Sequence, residues 1–274
     1  MQDKLTMREL PVEASNPCRV PLNMTQKTVA RRMQQGARDI PQFSVSMELN
    51  ADKLAAWRSR INSAIENQER RISVTALLIW LTARSLLKHP CLNAEFDRDA
   101  MIKHDTVNMA VAIDTPEGLT APVIRHAETL SVCETAEALR DLVARAAGKR
   151  LSLSDFTNAT FTISNLGMFG VSRFTPLINP PQAAILGVGG PRMTVQADGD
   201  GNLVPARMME LTVTADHRIL DGAKVARFLQ TLQASVERAE SWAEVGAAHE
   251  SRQATNKHCD TPMLAGGQSC LRKP

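Results

Sequence analysis

The stretch TADHRILDGAKVARF, residues 214–228, sets His217 four residues ahead of the pair Asp221 and Gly222. An imidazole titrates near neutral pH, so a histidine held in a defined place can take up a proton and give it back. Asp221 falls where a side-chain oxygen can cap the first amides of a helix, and Gly222 lets the backbone bend sharply at its entrance. An isolated His-x-x-x-Asp-Gly is most simply a capped turn with a hydrogen-bonded histidine. A catalytic role needs further residues around it.

The flanking pattern places this turn. Met209, Leu211, Val213 and Ala215 alternate along one face of a strand, and Val225, Phe228, Leu229, Leu232 and Val236 recur along one face of a helix. His217 therefore lies at a strand-to-helix turn. Upstream, a helical pattern runs from Thr25 to about Arg38 and stops ahead of Pro41, and FSVSMEL (43–49) alternates as a half-buried strand. Asn50 can cap a helix running toward Ile65, and VTALLIWLTARSLLKH, stopped by Pro90, is apolar nearly all round, as a buried helix is. VNMAVAI and ATFTIS read as strands. Between them Ser131 and Glu134 have capping-box spacing ahead of a helix that ends at Gly148. The apolar run AAILGVG follows a Gly-, Pro- and Asn-rich stretch, and DGDGN (198–202) separates it from MELTVTAD as a hairpin connection would. Strands and helices are mixed without strict alternation, which predicts a two-layer α/β sandwich with a mixed sheet.

Composition narrows the function classes. A chain of 274 residues with 43% hydrophobic residues can bury a sizeable core. Thirty-two Lys and Arg against 29 Asp and Glu leave no charge excess that would announce nucleic acid or an acidic membrane. The five cysteines are scattered, without zinc or redox-dithiol spacing, and imply reduced thiols in a cytoplasmic compartment. No apolar run approaches the roughly 20 residues of a membrane helix. Residues 1–20 read as a linker-like segment, and residues 246–274, small, polar and without period, as a disordered tail.

Five ordered stretches raise the odds for catalysis. IPQFSVSMELNADKLAAWRSRIN, LLKHPCLNAEFD, VNMAVAIDTPEGLTAPVI, FTISNLGMFGVSRFTPLINPPQAAILGVG and ADHRILDG together resemble the catalytic domain of the dihydrolipoamide acyltransferases, the core component of the 2-oxoacid dehydrogenase complexes. His-x-x-x-Asp-Gly alone is shared with chloramphenicol acetyltransferase and with peptide-synthetase condensation domains, whereas five matches in order are specific. The resemblance implies a chloramphenicol acetyltransferase-like fold and a catalytic domain over residues 21–245. It also implies transfer of an acyl group between a dihydrolipoyl group and coenzyme A. ISNLGMFG and INPPQ are most similar to the pyruvate and acetoin members, which points to acetyl.

The residue types suit that reaction. A free thiol near pKa 8.5 is mostly protonated at neutral pH and needs a base. The resemblance assigns that role to His217. It gives Ser164 the hydrogen bond to the tetrahedral oxyanion and Asp221 a part in organising the site around the histidine. The resemblance also implies that coenzyme A is a substrate, that lipoamide is supplied by another domain or chain, and that no metal is required. The implied partners are two further copies in a homotrimer, lipoyl domains, and the 2-oxoacid dehydrogenase and dihydrolipoamide dehydrogenase components, without nucleic acid or membrane. The stretch RRMQQGARD (31–39) could contact phosphates, though no residue is assigned to coenzyme A.

GVGGPR (187–192) lacks the following helix that a dinucleotide fingerprint needs, and His89 and His126 read as structural or solvated. Several positions depart from the family pattern. Asn158 and Ala159 replace two glycines, and Gly36 and Gln42 stand where serine and histidine are common. The polar tail replaces the apolar end that joins trimers into larger cores. Two other readings stay open: a coenzyme A-dependent acetyltransferase acting on a small molecule, and a catalytically idle trimeric scaffold.

Overall fold

The structure is a computed structural model that describes residues 18–238 apart from Glu117. The tail and nearly all of the linker-like segment lie outside the described residues. Helix α1 (Met24–Asp39) opens on a reciprocal cap, Asn23 accepting from the Gln26 amide at 2.8 Å and Gln26 from the Asn23 amide at 3.0 Å. Strand β1 (Gln42–Asn50) leads into α2 (Ala51–Ser63), which Asn50 caps through the Lys53 amide at 3.0 Å. Ten of the 15 residues of α3 (Val74–Lys88) are buried, which accounts for a helix without a polar face.

A hairpin, β2 (Ala94–Asp97) and β3 (Ala100–Lys103), precedes β4 (Met109–Val111). A second hairpin follows, β5 (Ile113–Thr115) and β6 (Gly118–Thr120), before β7 (Val123–Ile124). The predicted strand VNMAVAI is thus two short strands in different sheets, parted at Ala112. Helix α4 (Val132–Ala147) carries the expected Ser131–Glu134 capping box. After it come β8 (Phe161–Asn165), β9 (Ala184–Val188), β10 (Arg192–Ala197), β11 (Leu203–Asp216) and α5 (Gly222–Glu237). DGDGN does make a hairpin, but its arms are β10 and an extended β11 that starts at Leu203.

Seven strands form one mixed sheet in the order β1-β11-β9-β8-β4-β7, with β10 paired to β11. The β8–β9 and β4–β8 pairs are parallel and the rest antiparallel. Phe43, Val45 and Met47 face Ala215, Val213 and Leu211 across β1 and β11, and these join α2, α3, α4 and α5 in the main core. This is the predicted two-layer sandwich.

The other face of the sheet sets hydroxyls beside a small apolar cluster of Ile185, Ile40 and Ile178. Ser44 and Thr214 share a hydrogen bond of 3.0 Å and Ser46 and Thr212 one of 2.8 Å. Thr212 and Thr214 are nevertheless buried, because the irregular segment after β8 lies close to this face. At Gly189 that approach leaves no room for a side chain: a Cβ would sit 2.0 Å from the Ser172 carbonyl oxygen. Gly189→Ala should therefore lower stability by roughly 3 kcal/mol, the cost of overpacking against backbone. Gly199→Ala, in open space at the β10–β11 turn, should leave the thermal midpoint unchanged. Equal melting curves for the two variants would contradict this packing.

Candidate active site

Ser164 is the fourth residue of β8 and sits opposite Gly187 of β9. Phe161 and Ile163 turn into the main core, so Ser164 shares the opposite face with Thr162. The absence of a side chain at Gly187 lets Pro176 and Phe174 lie on the sheet beside the serine; a Cβ there would meet them at 3.0 and 3.2 Å. Asn165 anchors the chain beyond, donating to Thr75 Oγ1 at 2.9 Å and accepting from the Gly167 amide at 2.8 Å.

Ser164 opens into a cavity of about 790 Å³. Ile185 and Thr162 also line it, with Val29 and Met33 from α1 and Leu119 from the β5–β6 hairpin. The lining is mostly apolar, with Arg32 and Lys149 as its cations. Arg32 comes from the stretch 31–39 singled out as able to meet phosphate.

His217 lies elsewhere. Its backbone amide donates to the Pro41 carbonyl at 2.9 Å, and its ring centroid is 4.5 Å from that of Phe43. The residue is exposed, and its ring nitrogens make no hydrogen bond among the described residues. The expected hydrogen-bonded histidine is therefore replaced by one held through its backbone and a ring contact. Asp221 caps α5 as expected, accepting from the Lys224 amide at 2.9 Å, with Lys224 Nζ 3.3 Å from its other oxygen. These bonds, the backbone one first, hold its carboxyl below the usual range. Gly222 differs from expectation. It has no left-handed backbone and open space where a Cβ would go, and the bend is made earlier, where Ile219 and Leu220 amides donate to the Asp216 carbonyl.

The structure does not bring Ser164 and His217 together. Ser164 pairs with Gly187, Gly187 with Thr212, and His217 follows Thr212 by five residues, one past the end of β11. Two strand spacings of about 4.8 Å and five residues of about 3.3 Å put the two backbones on the order of 19 Å apart. Neither His217 nor Asp221 lines the Ser164 cavity.

Two residues of this region escaped the sequence reading. Asp216 is buried and binds the guanidinium of Arg218, with the shortest contact at 2.6 Å. The signal was opposite charges two apart at a strand end, which puts them on one side. His89 bonds Thr231 Oγ1 at 2.7 Å, and His126 is exposed beside Glu128, so both are structural or solvated as expected. Among the described residues no group of three His, Cys, Asp or Glu is placed to hold a metal, and no helix is long and apolar enough to cross a membrane.

The sheet order and helix layer define the class first. Chloramphenicol acetyltransferase superposes with a TM-score of 0.50 over 75% of this chain and 94% of its own at 15% identity, a likeness of fold. The chain belongs to the 2-oxoacid dehydrogenases acyltransferase (catalytic domain) family, whose model matches residues 14–244. It is 35% identical over 219 residues to the dihydrolipoyllysine-residue acetyltransferase component of the pyruvate dehydrogenase complex of Rickettsia felis, covering 80% of this chain and 53% of that protein. It is 32% identical over 228 residues to the corresponding component of the acetoin cleaving system of Bacillus subtilis, covering 83% and 57%. The chain thus spans about half the length of these curated relatives. Among solved structures, a dihydrolipoamide acetyltransferase of Azotobacter vinelandii superposes with a TM-score of 0.79 at 29% identity, over 86% of this chain and 99% of that one. That structure was studied for the role of a serine, a histidine and an asparagine in its catalytic mechanism.

The Asp221 cap generates a prediction. Asp221→Asn keeps a side-chain acceptor but loses the charge, and should melt between the parent and Asp221→Ala at neutral pH, the latter a few degrees below the parent. Because the folded carboxyl is held low, its contribution is present above the ordinary carboxylate range and fades as pH falls through the lowered value. The gap between parent and Asp221→Ala melting temperatures should therefore narrow in acid. A gap that persists in full at pH 2 would mean the cap does not depend on the charged carboxylate.

Proposed function

We propose that this chain is the catalytic domain, residues 21–245, of a dihydrolipoamide acetyltransferase. It moves an acetyl group between a dihydrolipoyl group, carried on another domain or chain, and coenzyme A. The observation that carries this reading is spacing. Ser164 precedes His217 by 53 residues and His217 precedes Asp221 by four, against 52 and four for the serine, histidine and asparagine studied in the Azotobacter protein. Asp221 stands in place of the asparagine, with Lys224 offsetting its charge.

In this reading the His217 imidazole takes the proton of the attacking thiol, and the thiolate adds to the thioester carbonyl. Ser164 Oγ donates a hydrogen bond to the oxyanion so formed. The intermediate collapses, the C–S bond to the other sulfur breaks, and that sulfur recovers the proton from the imidazolium. A backbone separation on the order of 19 Å exceeds the reach of both side chains toward one carbon, so His217 and Ser164 serve one reaction only when they come from neighbouring copies. A homotrimer with one site per interface satisfies that requirement. Lipoyl domains and the peripheral dehydrogenases are the partners it would serve. A reducing, cytoplasmic setting belongs to the same reading, the five cysteines being scattered without redox-dithiol spacing.

The test is acetyl transfer from acetyl coenzyme A to free dihydrolipoamide, beside a panel of amines and alcohols. Transfer to dihydrolipoamide alone is expected. His217→Ala should lower turnover between about a hundredfold and ten-thousandfold, and Ser164→Ala about a hundredfold, with the fold intact. Preference for an amine or alcohol, or parent rates in both variants, would overturn the assignment.

A further inference from the structure

Within this chain the contacts that orient His217 are its backbone bond to Pro41 and the ring of Phe43. The residues on either side are fixed to each other. The Asp216 side chain is only 2% exposed, and it accepts four bonds from Arg218. They come from the backbone amide at 3.0 Å, from Nε at 2.9 and 3.1 Å, and from Nη2 at 2.6 Å. The guanidinium lies 4.0 Å over the ring of Phe96 in β2, and Asp39 at the end of α1 adds a favourable charge. The Asp216 amide donates to the Ala183 carbonyl at 2.9 Å, as the His217 amide does to Pro41.

We propose that Arg218 is a positioning residue for His217, locked by Asp216 below and Phe96 above so that the turn presents the imidazole in one direction. The inference rests on the reading of His217 as the base. Asp216 is not the acid partner of a triad, since its hydrogen bonds go to Arg218 rather than to the imidazole. It acts on His217 only through the chain. A planar fork is what the arrangement uses, holding a carboxylate edge-on while its face lies on an aromatic ring, and a lysine reproduces only its charge.

Acetyl transfer by the full chain, with fold and oligomer checked by circular dichroism and sedimentation, separates this role from others. Arg218→Met and Asp216→Asn should lower kcat on the order of tenfold or more through misplacement of the base, with KM for acetyl coenzyme A and dihydrolipoamide unchanged. Arg218→Lys should recover part of the loss. Adding Arg218→Met to His217→Ala should not lower the residual rate further, because Arg218 has then nothing to position. Parent kcat in Arg218→Met, a raised KM with unchanged kcat, or a further fall in the double variant would overturn the inference. If Arg218→Met does not fold, parent kcat in Arg218→Lys overturns it instead. A fully active His217→Ala would sink the base assignment itself, a distinct result.

Discussion

The hydrogen-bonded register of β1, β11, β9 and β8 is the constraint on which the rest of the molecule depends. It carries Ser164 and His217 on one rigid frame, two strands and five residues apart, and no side-chain rotation closes that distance. The core is built to keep the frame stiff. Phe161, Ile163, Leu211 and Val213 pack into the layer of α2 to α5, and interiors of this density do not deform gradually. The sheet therefore holds Ser164 and His217 apart, each in its own local structure. Ser164 has its cavity under the segment that follows β8, and His217 has its turn between Pro41, Phe43 and the Asp216–Arg218 pair.

Much of this was legible in the sequence because the strongest signals are local. The alternation of FSVSMEL and MELTVTAD, the capping residues Asn50, Ser131 and Asp221, and the stop at Pro41 each follow from a few neighbouring residues, and each stands in the structure. What was not legible depends on contacts between distant residues. The two small hairpins β2–β3 and β5–β6 lie off the main sheet, and their strands of three or four residues are too short for an alternating pattern to stand out. Gly222 reads as a bend only because glycine often serves one. Here the bend is earlier and is held by the Asp216 carbonyl.

The departures from the family pattern also have local causes. Gln42 donates to the Gly36 carbonyl at 3.1 Å and accepts from the Ile178 amide at 3.0 Å, so one side chain ties α1 to the segment bordering the Ser164 cavity. Gly36 suits that position because a Cβ would stand 3.1 Å from the Ile178 oxygen and from Pro180. Gly36 and Gln42 are therefore one joint arrangement rather than two changes. Asn158 keeps the left-handed backbone that a glycine adopts readily, at φ 60°, and asparagine is among the side chains that tolerate it best.

The central claim is that no single chain completes the site, and mixing two defective chains tests it most directly. His217→Ala and Ser164→Ala proteins are unfolded together, mixed in equal amounts and refolded, and acetyl transfer is compared with each variant refolded alone. In a cyclic assembly each interface draws its histidine from one copy and its serine from the next, so random mixing restores about one site in four. The account predicts activity approaching a quarter of the parent value. Activity at the mean of the two variants, in assemblies verified to be mixed, would contradict it and place both residues at one site within a single chain.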